Sequence, residues 1–158
     1  MTISPARTAR AQPAELTNAQ LHGLVFSPLA RCACTALDPD EWFPVATRIA
    51  PARAEAARAL AVCAVCLVRA ECLELSLRHW AVVGQHGIWG GLVEAERGTL
   101  RREWLNGVPV TALLSREIPG EITAPLGDPF ITSALPRCLP ENAAETLFRP
   151  SCDDSMDL

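Results

Sequence analysis

Three closely spaced cysteines constrain the fold of this chain more than any other feature. Cys63, Cys66 and Cys72 follow the pattern C-x2-C-x5-C within the stretch AVCAVCLVRAECLELSL, residues 61–77. On one unbroken helix of 3.6 residues per turn, Cys63 and Cys66 share a face, whereas Cys72 points to roughly the opposite one. The sequence therefore predicts a break near Cys66, so that the thiols converge from a helix end, a connector and the first turn of the next helix.

Converging thiolates repel one another unless a cation lies among them. The chain has seven cysteines, and this odd number does not suit a complete disulfide framework. Zinc and an iron–sulfur cluster both need a fourth ligand, and the spacing alone leaves the two about equally favoured. The other possibility is that the thiols pack as small apolar residues. The candidates for a fourth ligand are Cys32, Cys34, His79, His86, Cys138 and Cys152.

Composition and charge exclude several classes of protein. The net charge is −4, and residues 1–105 carry eleven arginines and ten acids, whereas 106–158 carry three and eight. The strongly basic footprint of a protein that grips DNA unaided is absent. The longest apolar run, 59–68, is far shorter than the roughly 20 residues of a membrane span. Since the N-terminus also lacks the apolar stretch of a secretory signal, we predict a cytoplasmic protein with no membrane partner, whose thiols stay reduced.

Helical periodicity and turn residues predict an all-α fold. Asp38-Pro39 indicates a turn, and the glycines of 84–91 indicate a tight turn that needs positive φ. Seven of the thirteen prolines lie in 106–158, so we predict a mostly disordered, acidic tail there. The predicted helices begin near Thr17 or Asn18, run from Pro51 to Cys63, and cover 67–80 and 92–105.

Three motifs, in this order, resemble the WhiB-like transcriptional regulators: CTALDPDEWFP, CAVCLVRAECL and GIWGGLVEAER. The resemblance implies a small bundle of three to four short helices arranged around a [4Fe–4S] cluster. Residues 1–29 would form a partly helical or disordered N-terminal segment, 30–105 the iron–sulfur domain and 106–158 the disordered tail. In the family, three residues separate the first ligand from an Asp-Pro, which fits Cys34 before Asp38 and leaves Cys32 as a spare. The implied cluster ligands are Cys34, Cys63, Cys66 and Cys72.

The resemblance also implies two macromolecular partners. The family's tryptophan turn, which docks on domain 4 of the primary sigma factor of RNA polymerase, maps to Gly87, Ile88, Trp89, Gly90 and Gly91. Glycines on both sides of Trp89 predict an indole exposed among bare backbone as a contact point; the alternative is a core residue under a turn. Basic residues after the turn contact promoter DNA in the family. Here they are few, so the expected DNA binding is weak or assisted: Arg97, Arg101 and Arg102.

Together these features predict a non-enzymatic, iron–sulfur transcriptional regulator that responds to redox change or nitric oxide. One alternative is a protein disulfide reductase that uses Cys63 and Cys66 in the cluster-free form, although the strand-then-helix setting of a thioredoxin-like site is missing. Another is an interaction module stapled by zinc. The three arginines have the alternative role of a solvated helix face. Trp42 and Phe43 are expected to be core residues that help to cover the cluster.

Overall fold

The computed structural model describes residues 10–28, 30 and 37–116, and this part of the chain is mostly helical. Within it, the β-type pairing consists of one isolated bridge, between Trp89 and Leu92. The prediction of an all-α fold is therefore confirmed. The α-helices are α1 (Asn18–Val25), α2 (Ile49–Glu55), α3 (Ala57–Ala64), α4 (Arg69–Arg78), α5 (Glu94–Leu105) and α6 (Val110–Leu114), with 3-10 turns at Pro13–Glu15 and Pro39–Trp42 and a π-helical turn at Trp80–Gly84.

Several predictions concern residues outside this described part. They include the cluster ligand Cys34, its neighbour Cys32 and the tail cysteines Cys138 and Cys152, as well as the tail from residue 117 onward. These stay predictions. Within the described residues, no helix combines the length and the apolar character that crossing a bilayer requires.

The predicted helix starts near the N-terminus follow from capping side chains. The hydroxyl of Thr17 accepts a hydrogen bond from the amide of Gln20 at 3.2 Å, and the Gln20 side chain accepts one from the amide of Thr17 at 2.9 Å. The two bonds form a capping box at the start of α1. The carboxylate of Asp38 accepts the amide of Asp40 at 3.0 Å and opens the turn at Pro39–Trp42. Both predictions are confirmed.

The chain breaks between helices α3 and α4, as the cysteine spacing predicts. Cys63 lies in the last turn of α3, Cys66 lies in the connector, and Cys72 lies in the first turn of α4. The single helix predicted from Pro51 to Cys63 is wrong in two respects: the observed helix starts at Ile49, and it divides at Ala56 into α2 and α3. The buried residues of α3 include Cys63 itself, beside Ala59 and Val62.

Two hydrophobic clusters hold the helices together. The alanine-rich cluster lies around α2 and α3, and its buried members are Leu37, Ala52, Ala56, Ala59, Val62, Cys63, Ile88 and Val93. The leucine-rich cluster includes residues of α4, with Leu73, Leu77, Leu92 and Val110 as its buried members and Ala70, Trp80, Leu100, Trp104 and Leu114 packed against them. Helix α6 lies beyond the predicted domain end at residue 105, because Val110 completes this second cluster.

Buried and half-buried ion pairs fix the helices relative to one another. Arg53 of α2 donates to Glu96 of α5 at 2.8 Å, and the second oxygen of Glu96 accepts the amide of Val93 at 3.0 Å. Arg78 of α4 pairs with Glu74 at 2.8 Å and also donates to carbonyls of the N-terminal segment at residues 13, 14 and 16. The turn that precedes α5 is thereby held between fixed helices.

Candidate functional site

The three clustered cysteines line a single cavity of about 460 Å³, here called the cysteine cavity. Cys63 is buried, whereas Cys66 and Cys72 are half-buried. Apart from Arg69 and the thiols, the cavity walls are largely apolar. They include Leu37, Trp42, Phe43, Val62, Val68 and Ile88. The spacing C-x2-C-x5-C has thus brought three thiols to one apolar space, through the break between α3 and α4.

The three thiols line the same cavity from a helix end, a connector and a helix start. In residues 10–28, 30 and 37–116, no three His, Cys, Asp or Glu side chains gather as a site for a single metal ion. A tetrahedral zinc site needs its ligand atoms at about 2.0–2.3 Å from one centre. In an iron–sulfur cluster each thiolate binds a different iron, so the sulfurs are spread around the group. The two kinds of site therefore need different spacings of the same thiols.

A tight turn over residues 87–91, here called the glycine turn, forms one wall of the cavity. Gly87, Gly90 and Gly91 have φ values of 61°, 59° and 73°, a region that glycine adopts readily. Trp89 and Leu92 exchange two backbone hydrogen bonds, at 3.2 and 3.1 Å, that close the turn. The prediction of a positive-φ turn is confirmed.

The glycines of this turn serve close packing, and not the exposure of the tryptophan. A Cβ on Gly90 would lie 2.6 Å from the Cβ of Leu73, and a Cβ on Gly91 would lie 2.9 Å from Nε of Arg69. Both glycines are buried against α4, and Trp89 is half-buried. The expectation of an indole exposed among bare backbone is therefore wrong for the Gly90–Gly91 side. The absent side chains allow the amide of Gly90 to donate to Sγ of Cys72 at 3.3 Å.

Arg97 is buried and does not lie on the surface, so the expectation that it contacts DNA is wrong. Its side chain is 0% exposed and donates five hydrogen bonds, of 2.7–3.2 Å, to the carbonyls of residues 84, 86, 87 and 92. Burial lowers the pKa of Arg97 to about 10, while the nearby Cys72, Glu94 and Glu96 act in the opposite direction. The guanidinium is thus charged at neutral pH and holds the glycine turn against α5.

The other two candidate DNA contacts differ from Arg97 in exposure. The guanidinium of half-buried Arg101 lies over the ring of Trp80, 5.4 Å from its centroid, in a cation–π contact. Arg102 is exposed. Contact between these two residues and DNA stays a prediction.

Arg69 is the site residue that the sequence analysis misses. It lies between Cys66 and Cys72, lines the cavity and donates from Nε to the carbonyl of Gly90 at 2.9 Å. One feature of the sequence could have indicated both Arg69 and Arg97. A turn with three positive-φ glycines leaves carbonyls without regular partners, and arginine supplies five N–H donors to satisfy them.

The remaining candidates lie at the margins of the site. His79 and His86 are exposed and do not line the cavity. Trp42 is half-buried and accepts the amide of Ile88 on its carbonyl at 2.9 Å. Phe43 is 58% exposed, so it forms the rim of the cavity and is not a core residue.

The residues present fit a [4Fe–4S] cluster in three respects. The donor set consists of thiols, the ligands that such clusters take. The walls are apolar and carry one N–H donor aimed at a ligand sulfur, Gly90 to Cys72, and hydrogen bonds of this kind tune cluster potentials. Arg69 brings a positive charge to the wall of the cavity, where thiolates would accumulate negative charge.

Comparisons with known proteins agree on one family. The model of the family "Transcription factor WhiB" matches residues 29–100. Transcriptional regulator WhiB1 of Mycobacterium tuberculosis is 41% identical over 73 residues, which are 46% of this chain and 81% of that protein. WhiB2 of the same organism is 40% identical over 75 residues, 46% of this chain and 71% of the relative. WhiB of Streptomyces coelicolor is 40% identical over 75 residues, which are 46% of this chain and 72% of that protein. No solved structure matches the chain.

Proposed function

The chain belongs to the WhiB family of transcriptional regulators, and from this premise we propose that it controls transcription through a [4Fe–4S] cluster held in the cysteine cavity. Cys63, Cys66 and Cys72 would supply three of the ligands. The resemblance assigns the fourth to Cys34, which lies outside the described residues. One observation carries the proposal: three thiols at the spacing C-x2-C-x5-C line one apolar cavity beside the glycine turn.

The protein's contribution would be to hold the thiolates and to control access to them. When bound, the cluster supplies a redox-active centre that also reacts with oxygen or nitric oxide. The apolar walls limit the entry of water, and the half-buried Cys66 and Cys72 leave an opening for small molecules. Since metal binding contributes free energy to folding, loss of the ligand bonds would loosen the α3–α4 connection.

The output would be a contact between the glycine turn and domain 4 of the primary sigma factor, made in the cytoplasm. Half-buried Trp89 and exposed Phe43 present apolar surface at the rim of the cavity. Aromatic side chains in such positions are common anchors of protein interfaces. The exposed Arg102, with Arg101 beside it, would add a weak contact to promoter DNA.

Disulfide reduction by Cys63 and Cys66 is less well supported. A thiol becomes a better attacking thiolate near a helix N-terminus, where the helix macrodipole favours negative charge. Cys63 instead lies in the last turn of α3, at the end that disfavours a thiolate. The matched relatives are also named as transcriptional regulators.

The decisive experiment is anaerobic purification of the full chain, followed by iron and sulfide assays and a visible spectrum. We expect a brown protein with four irons and four sulfides per chain, the stoichiometry of this cluster type, whose absorbance bleaches in air or with nitric oxide. Cys63→Ser should abolish the colour, whereas the matched control Cys152→Ser should keep it. Zinc in place of iron in the wild-type protein would instead support the zinc-stapled module.

The docking role has a separate test. Trp89→Ala should keep the visible absorbance of the loaded protein and lose co-purification with sigma-factor domain 4. Trp104→Phe, which changes a tryptophan away from the cavity, serves as the control and should co-purify like the wild type. Undiminished binding by the Trp89→Ala protein would refute the docking role while leaving the cluster assignment intact.

A further inference from the structure

We propose that Arg69 couples the cysteine cavity to the glycine turn by holding Gly90, so that the order of the turn follows the position of the Cys66–Cys72 segment. The proposal rests on the proposed function only for what the cysteines hold. Arg69 is a positioning residue in this role, since it acts on the turn and not as a ligand.

The carbonyl and the amide of Gly90 both form hydrogen bonds with residues of one short segment. Nε of Arg69 donates to the Gly90 carbonyl at 2.9 Å, and the Gly90 amide donates to Sγ of Cys72 at 3.3 Å. Arg69 and Cys72 lie one helical turn apart at the start of α4. A shift of this turn of helix therefore moves both partners of Gly90 together.

The packing around Gly90 leaves little space to absorb such a shift. With φ at +59°, a Cβ on this residue would lie 2.6 Å from the Cβ of Leu73 and 3.1 Å from the carbonyl oxygen of Arg69. The turn backbone is thus in direct contact with α4. Close-packed protein interiors transmit displacements and do not cushion them.

Two arginines divide the carbonyls of the turn region between them. Arg97 of α5 holds those of residues 84, 86, 87 and 92 and is itself completely buried. Arg69 holds the carbonyl of Gly90, from the segment that carries the ligand cysteines. The Arg97 side of the turn is tied to a helix remote from the thiols in sequence, whereas the Gly90 side follows the thiols.

The first test uses the full chain without metal and asks whether the two hydrogen bonds to Gly90 depend on each other. Exchange of the Gly90 and Leu92 amides is measured by NMR in Arg69→Lys, in Cys72→Ser and in the double variant. Lysine keeps the charge but cannot reproduce the Nε–H geometry. We expect the two changes to be non-additive by about threefold or more in exchange rate, as for residues of one network.

Arg78→Lys is the matched control, because Arg78 lies on the same helix and also donates to backbone carbonyls, but in the N-terminal segment. Its effect should add to that of Cys72→Ser. If Arg69→Lys and Cys72→Ser are also additive, the proposal is overturned. If the serine variant does not fold, Cys72→Ala takes its place in the same cycle.

The second test compares protein loaded with iron and sulfide with metal-free protein, using hydrogen exchange by mass spectrometry on peptides covering 87–92. Loading should slow exchange in the wild type, and Arg69→Lys should lose about tenfold of that slowing when the two proteins are compared at equal iron content per chain. Equal slowing in both proteins would overturn the coupling. A wild-type chain that takes up no iron or sulfide would refute the proposed function instead, and the metal-free cycle would still decide the role of Arg69.

Discussion

The alanine-rich and leucine-rich clusters differ in the side chains that build them and in what completes them. The first is built from small side chains and opens on the cysteine cavity through Cys63 and Ile88. The second is built from leucines, with Trp80 and Trp104 packed against them. Because an alanine buries much less apolar surface than a leucine, the first cluster gains less from each buried residue. The leucine-rich side is thus the better packed of the two, and under the proposed function the alanine-rich side would gain the rest of its stability from the cluster.

Helix α4 connects the two sides residue by residue. Cys72 faces the cavity, and its neighbour Leu73 is completely buried in the leucine-rich cluster. Helix α4 therefore contributes residues to both regions of the domain. The four predictions below separate the two sides, from the largest expected effect to the smallest.

Removal of one cluster ligand should give the largest effect. In protein reconstituted with iron and sulfide, Cys63→Ser should accelerate amide exchange in α3 by about a hundredfold or more, the effect of losing a ligand present at 100 times its Kd. Amides of α4 near Leu77 should change far less. Exchange that accelerates equally in α3 and at Leu77 would show that the two sides do not differ in their dependence on metal.

Truncation of the leucine-rich cluster should destabilise the protein whether or not metal is present. Leu73→Ala should lower the free energy of unfolding by about 2–5 kcal/mol, since the side chain is completely buried. Urea unfolding followed by circular dichroism measures this in both forms. Leu105→Ala is the control, because Leu105 is 59% exposed, and its effect should stay below about 0.5 kcal/mol. A Leu73→Ala effect that appears only in loaded protein would contradict the comparison.

A side chain at Gly90 should disturb the junction between the two sides. Gly90→Ala adds a Cβ at positive φ, 2.6 Å from Leu73, and should cost about 1–3 kcal/mol in the free energy of unfolding. Gly23→Ala is the matched control, because a Cβ at this position in α1 meets nothing within 4 Å. It should stabilise the protein by about 0.5–1 kcal/mol in the same urea experiment, through helix propensity. Equal effects of the two substitutions would refute the close contact.

Loss of one hydrogen bond in the leucine-rich side should have the smallest effect. Nε1 of Trp104 donates to Glu74 at 3.0 Å, and the same carboxylate also pairs with Arg78. Trp104→Phe should lower the free energy of unfolding by about 1–2 kcal/mol, since Glu74 keeps its other partner. The iron content of the loaded protein should not change. Loss of iron in this variant would show that the two sides are not independent.

The break between α3 and α4 and the positive-φ turn are the features that the sequence predicts best. Because of helix geometry, the thiols of Cys63, Cys66 and Cys72 cannot lie on the same face of one unbroken helix. The glycines of 84–91 favour a turn over regular structure. The structure agrees with both predictions. Such features depend on local geometry, which a sequence states directly.

The burial of Arg97 and the role of Arg69 could not be predicted in the same way. Arg97 and Arg101 are four residues apart on α5, a spacing equally typical of a solvated face. Which of the two is buried depends on the carbonyls that the turn presents to α5, and this is a tertiary property. The sequence does not predict helix α6 for a similar reason. Val110 of this helix packs against leucines that are distant in the sequence, and such a contact is not visible in the local pattern.

Helix α4 carries residues of both regions, so the number of residues in this segment is constrained more strongly than their identity. One residue inserted between Val68 and Cys72 would rotate everything after it by about 100° around the helix axis. The thiol of Cys72 would leave the cavity, and the row of Leu73 and Leu77 would leave its cluster in the same step. A substitution in this segment affects one side chain, whereas an insertion or deletion would remove the cavity contact and the cluster contacts together.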